Sequence, residues 1–219
     1  MEKRENRKEL RKKLVRLSLI FVAGYVLSLV LWLFIGKYYG YVITSISAYA
    51  IAPVKNIQLD KVEFDKKDKN NISTYFRTLK QFSKNIGMRQ DVNYGHFTFN
   101  IPITIGILAA FFPFIRKKRV FVEVTVLLIS IHIIYVFFLE GLKLSEALLR
   151  TGYEKPNEAK LIFWQYSEGF LKSMVLRFEP FLIGAYLYFS RTRGLDKPVA
   201  NTEEHEDNGF DDNEETEKE

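Results

Sequence analysis

The chain carries three histidines and no cysteine, and this sets the first limit on its chemistry. Without thiols there is no disulfide, thiolate metal site, iron–sulfur cluster or cysteine nucleophile. His96, His132 and His205 lie in separate segments, so no HExxH pair or similar metal spacing forms. No glycine-rich phosphate loop is present, and neither a metal nor a cofactor is expected. The ionisable residues to weigh are those set inside apolar stretches. His132 falls near the middle of one, with Glu123 nine residues before it and Glu140 at its end. Nine residues is about 13.5 Å along a helix axis, so Glu123 and His132 do not touch within one helix. Arg177 and Glu179 stand in the first half of a second stretch, and Asn100 near the start of a third. An ionisable group inside a membrane is a candidate proton carrier or binding group. A neutral histidine serves equally as a hydrogen bond between helices. Both readings of His132 stand. Glu140, Glu179 and Arg177 form an outer polar cluster if their helices pack, and charge-paired packing is its simpler account. The apolar blocks contain no aspartate, which argues against an intramembrane hydrolase built on paired aspartates.

These residues belong to blocks that the average composition hides. The 219 residues are 47% hydrophobic and 26% charged, with a mean hydropathy of −0.07. The apolar residues are gathered into long runs, and the charges lie between them. Residues 14–35 hold a single charge, Arg16. At 1.5 Å per residue these 22 residues reach about 33 Å, enough for a hydrocarbon core of about 30 Å. Trp32, Tyr38 and Tyr39 sit at the far end, where aromatic rings favour the headgroup layer. The run exceeds the 7–15 apolar residues or so of a cleavable signal, so a retained anchor is expected. Residues 97–115 carry no charge, and Asn100, Pro102 and Pro113 lie near the ends of that run. Residues 120–140 follow a basic turn at 116–119. Residues 170–190 complete the set, interrupted by Lys172, Arg177 and Glu179. Long charged side chains near a helix end can reach water, so this segment reads as a fourth span, with a membrane-surface helix as the competing reading.

Charge placement orients the spans. Residues 1–16 carry eight Lys or Arg, the 116–119 turn four and the 191–197 segment three. All three clusters share one side if four helices cross, which puts both termini in the cytoplasm. The basic arm, 1–13, comes without the aromatic or glycine pattern of a nucleic-acid module, so the expected partner is a lipid bilayer and not nucleic acid. The tail, 191–219, is rich in Asp and Glu and is expected to be disordered.

The outer segments are 36–96 and 141–169. Residues 38–54 are apolar and aromatic and are expected along the outer membrane surface until Pro53 turns the chain. Residues 57–64 suggest a strand with one irregularity, and 65–71 a solvated turn. Residues 72–79 return as the second strand of a hairpin. The spacing of Tyr75, Leu79, Phe82 and Ile86 admits a helix capped by Ser73 instead. Residues 142–150 alternate apolar and charged, an amphipathic stretch beside the membrane.

Several motifs carry a family resemblance. They are His96-Phe97-Thr98-Phe99-Asn100-Ile101-Pro102, Ala109-Ala110-Phe111-Phe112-Pro113 with its basic turn, and Glu140-Gly141-Leu142-Lys143. Gln165-Tyr166-Ser167-Glu168-Gly169-Phe170 and Phe178-Glu179-Pro180-Phe181 are similar in character. Together, over about residues 14–193, the chain resembles the exosortase-H-associated small membrane proteins. The resemblance implies a bacterial inner-membrane protein acting beside an exosortase, an enzyme that processes C-terminal sorting signals on exported proteins. Exosortases use a cysteine nucleophile with arginine and histidine, so a chain without cysteine is not the transpeptidase itself. The resemblance transfers no catalytic residue, and it does not account for the acidic tail. The expectation is an all-α integral membrane protein of four transmembrane helices with a small extracytoplasmic mixed α/β or β-hairpin domain. Its expected role is a non-enzymatic accessory of protein sorting or envelope assembly, binding an exosortase-type enzyme or its exported substrates through the outer loops. The alternative is a small transporter or channel subunit using His132 and the acidic residues.

Overall fold

In the computed structural model, which describes residues 2–79, 86–115 and 118–192, the apolar run that begins at Leu14 does not stop at Ile35. Helix α1 covers Glu2–Val54, 53 residues, or about 80 Å. No proline interrupts it before Pro53, in its last turn. Asn56 then closes it in the left-handed region, at φ 51°, a conformation asparagine tolerates. Residues 38–54, expected along the membrane surface, therefore continue the anchor helix, because nothing in their sequence breaks it sooner.

The chain leaves α1 into an antiparallel meander of β1 (Ile57–Phe64), β2 (Asn71–Thr78) and β3 (Gly87–Asn93), in the order β1-β2-β3. The irregularity expected in the first strand is a register shift between Leu59 and Lys61. Asp65 and Asp68 accept hydrogen bonds from the backbone of Lys67 and Asn70, which fixes the first turn. Residues 71–78 are strand, not helix; Phe82 of the helical alternative lies outside the described residues. The hairpin is also one strand short of the structure. The sequence Gly87–Asn93 has four polar residues in seven, and only Met88 and Val92 enter the core, too sparse a pattern to be read as a strand.

Helix α2 (Gly95–Thr98) and α3 (Asn100–Phe111) return along α1, ending in a 3-10 turn at Phe112–Phe114. Helix α4 (Arg119–Arg150) runs ten residues past Glu140, so the amphipathic stretch beyond that residue is helical and not loop. Gly152, at φ 71°, ends it, with the Tyr153 amide bonded to the Leu148 carbonyl at 3.0 Å. Asn157 caps α5 (Glu158–Phe170) by accepting from the Lys160 amide at 3.0 Å. A six-residue π stretch, Leu171–Leu176, joins α5 without a break to α6 (Arg177–Thr192). Of the 116–119 turn, Lys118 and Arg119 are described; the tail from 193 onward, His205 included, lies outside the described residues.

The chain is mostly helical, with one small sheet. Helices α1 and α3 are antiparallel and close: a Cβ on Gly24 would stand 2.8 Å from that of Ala109, and the Ser28 hydroxyl donates to the Pro102 carbonyl at 2.9 Å. Small residues allow such approach where hydrocarbon offers helices no other reason to associate. Three core clusters stack along the molecule. One joins Val120 and Leu187 with Phe111 packed against them, so the α3–α4 connection and the end of α6 lie together. A middle one joins Ile43, Phe97, Tyr135 and Leu176. The third joins Ile51, Phe76, Leu148 and Trp164, where the sheet meets the ends of α1 and α4.

Among the described residues, three helical stretches are long and apolar enough to cross a membrane: Lys8–Val54, Gly95–Phe114 and Arg119–Arg150. Only 11% of the most apolar window of the first is buried within the protein. Leu19, Leu27, Leu33 and Phe34 instead face outward, an apolar surface far beyond what water-facing proteins expose.

Gly141 sits where a Cβ would fall 2.2 Å from the Trp164 ring. Gly141→Leu is expected to destabilise the protein by about 1–3 kcal/mol through overpacking, while Gly169→Leu, with nothing within 4 Å, should not. Thermal unfolding of the detergent-solubilised protein checks this.

Candidate functional site

Three helices converge on His132. Helix α1 supplies Tyr39, whose hydroxyl lies 2.7 Å from His132 Nδ1, and α6 supplies Glu179, whose Oε2 lies 3.0 Å from Nε2. The side chains of His132 and Glu179 are fully buried. The imidazole meets Tyr39 and Phe97 edge-on, each ring centre 5.7 Å away, and Trp32 backs Tyr39 at 5.3 Å. An imidazole offers one donor and one acceptor, so in either tautomer it links a phenol to a carboxyl group. Such a chain can pass a proton between its ends, but here the Glu179 end is fully buried and only the Tyr39 end is partly exposed. Its direct effect is to tie α1, α4 and α6 together at one level.

Glu179 reaches this level because of a local fault in its own helix. Pro180 has no N–H, so the carbonyl of Leu176, four residues earlier, loses its helical partner. The Asn100 side chain, from the start of α3, donates to that carbonyl. The π stretch directly before Arg177 widens the helix and shifts the face on which later residues project. Asn100 thus satisfies the backbone that Pro180 releases, and the residue beside Pro180 is the one that meets His132.

The remaining sequence candidates stand apart. Glu123 pairs with Arg119 at 2.9 Å, one turn away, and accepts from the Tyr186 hydroxyl. Glu140 is fully buried beside Thr74 and Lys143, yet no hydrogen bond of good geometry reaches its carboxyl oxygens. Arg177 is exposed. Among the described residues no ion pair joins Glu140, Arg177 and Glu179; Glu179 takes His132 instead. No group of three or more His, Asp or Glu is arranged to hold a metal among the described residues.

Sequence reasoning missed Tyr39, which reads as an interfacial aromatic, and a second polar site at the far end of α1. Lys55 is 5% exposed. Its ammonium lies 4.2 Å from the centre of the Trp164 ring and donates to the Ser145 hydroxyl, which in turn donates to the Gly141 carbonyl at 2.7 Å. Burial foremost, and then Lys160, push the Lys55 amine down to about 8, against the pull of Glu154. Lys55 lines a half-open cavity of about 520 Å³ with Asn56, Leu79, Leu148, Glu154 and Lys160. The signal available in the sequence was a lone lysine two residues after the proline in the last turn of a long apolar helix. No family model, curated protein or solved structure matches the chain.

Two outcomes are expected. Replacing His132 and Glu179 by leucine, singly and together, should give a double variant that loses less than the sum of the singles, with a coupling of about 0.6–1.7 kcal/mol in unfolding measurements. Labelling of Lys55 by an amine-reactive reagent, followed by peptide mass spectrometry, should rise through about pH 8, because the ammonium form that dominates below it does not react.

Proposed function

We propose that this protein is a membrane-embedded accessory of bacterial envelope protein sorting, with four helical passes, both termini in the cytoplasm and a sheet held outside as a partner-binding platform. The observation that carries this reading is the continuity of α1. One unbroken helix joins the basic arm to the core beneath the sheet, where Ile51 packs with Phe76 and Leu148. A platform so mounted is held at a set height above the bilayer. The fourth pass rests on the unbroken helical path of 158–192 and on the burial of Glu179, Ile183 and Leu187 against the other helices. The common orientation rests on the proximity of Phe111, Val120 and Leu187 at one end, residues that the basic stretches 116–119 and 191–193 closely follow or precede in the sequence.

The complete burial of His132 and Glu179 favours an internal tie over a transport path, since a carried proton needs water at both ends. The partner to which the resemblance points is an exosortase-type enzyme or its exported substrate. A photo-crosslinking residue at Lys61 or Lys66, exposed on the sheet side, tests this in cells that also contain an exosortase and one of its substrates. Crosslinks to either are expected. Their absence, or reporter fusions that place residue 118 opposite the amino terminus, would overturn the reading.

A further inference from the structure

The cavity beside Lys55 holds more positive charge than it answers. Lys55 and Lys160 both line it, and Glu154 is the single carboxylate among its described lining residues. Glu154 is already paired with Lys160 and acts on Lys55 only at longer range, so among the described residues Lys55 meets a hydroxyl and an indole ring but makes no ion pair. A smaller recess next to it shares Glu154 and Lys160 and adds Lys155. Repulsion between two ammonium groups in a half-enclosed space is relieved by an anion, more strongly than in open water.

We propose that this cavity binds a phosphate-bearing anion, with the Lys55 and Lys160 ammonium groups as its paired cations. Lys160 is 45% exposed on a flexible stem and can leave Glu154 for the ligand, whereas Lys55 is held in place by Trp164 and Ser145. The amine of Lys55, pushed down to about 8 with Lys160 as a contributor, is still mainly an ammonium near neutral pH, and a bound anion strengthens that form. Leu79 and Leu148 add apolar lining suited to the stem of an ester. Phe163, Tyr166 and Ile162 face outward around Trp164, as interfacial aromatics do, and Leu148 lies eight residues past Glu140, about 12 Å along α4. On the membrane reading above, the cavity therefore opens at the level of the outer headgroups. The cation pair itself does not depend on that reading. A phospholipid headgroup and a free phosphate share the chemistry, and the experiment separates them.

The chain has two tryptophans, so Trp32→Phe leaves Trp164, in contact with Lys55, as the reporter of the cavity. The protein in discs of zwitterionic lipid is titrated with inorganic phosphate, and separately prepared in discs with increasing phosphatidylglycerol. A saturable change of Trp164 fluorescence with phosphate supports a free-phosphate site, and one seen only with phosphatidylglycerol supports a headgroup site. Lys160→Met, at an exposed position, should weaken the response at least tenfold, as should Lys55→Met where it folds. Glu154→Gln should tighten it, because Lys160 loses its competing partner, an effect that a purely structural role would not produce. A flat response to both probes overturns the proposal, and so does a response that Lys160→Met leaves unchanged.

Discussion

A polar group surrounded by hydrocarbon must find its partner within the protein, because each group left unmatched costs several kcal/mol. The helix arrangement follows from that constraint. Tyr39, His132 and one carboxyl oxygen of Glu179 pair with one another across α1, α4 and α6. Asn100 satisfies the Leu176 carbonyl that Pro180 releases, joining α3 to the π stretch that leads into α6. Ser28 and Ser47 donate to the carbonyls of Pro102 and Ile133, joining α1 to α3 and α4. Every one of these bonds links different helices. Each fixes a relative height that nonspecific apolar contact leaves free to slide.

Around those ties, close packing needs small residues. Gly24 lets Ala109 approach, Gly40 lies against Tyr94, and Gly141 makes room for Trp164. The last of these links two levels of organisation. Trp164 fills the space over Gly141, its ring then carries the Lys55 ammonium, and Ser145 one turn along α4 accepts the hydrogen bond from that lysine. The Lys55 site is thus built on the same helix–helix contact that closes the core beneath it.

The length of α1 connects these regions mechanically. A single helix touches α3 at Gly24, the buried histidine at Tyr39, the sheet-side core at Ile51 and the lysine-lined cavity at Val54. Tilting or sliding it moves all four contacts together. The sheet has little core of its own, since Ile57, Phe76 and Met88 are covered by Ala48, Ile51 and Ala52 of α1 and by Leu144 and Leu148 of α4. A sheet of only three strands gains its stability by packing an apolar face against helices in this way.

The apolar runs, their charged boundaries, the irregular first strand and the isolation of Glu123 from His132 were all legible in the linear chain, because hydropathy, turn residues and helical rise act over a few residues at a time. The same locality explains what was missed. Residues 38–54 carry no local signal that separates a membrane-surface segment from a continued helix, and Gly87–Asn93 has too few apolar residues to announce a strand that its neighbour β2 nevertheless pairs. Tyr39 and His132 are 93 positions apart, and Glu179 follows His132 by 47; no spacing rule joins them. Their meeting, and that of Lys55 with Trp164 and Ser145, was decided by which helix faces pack. That choice depends on the sum of contacts along whole helices, a quantity that exists only once the chain has folded back on itself.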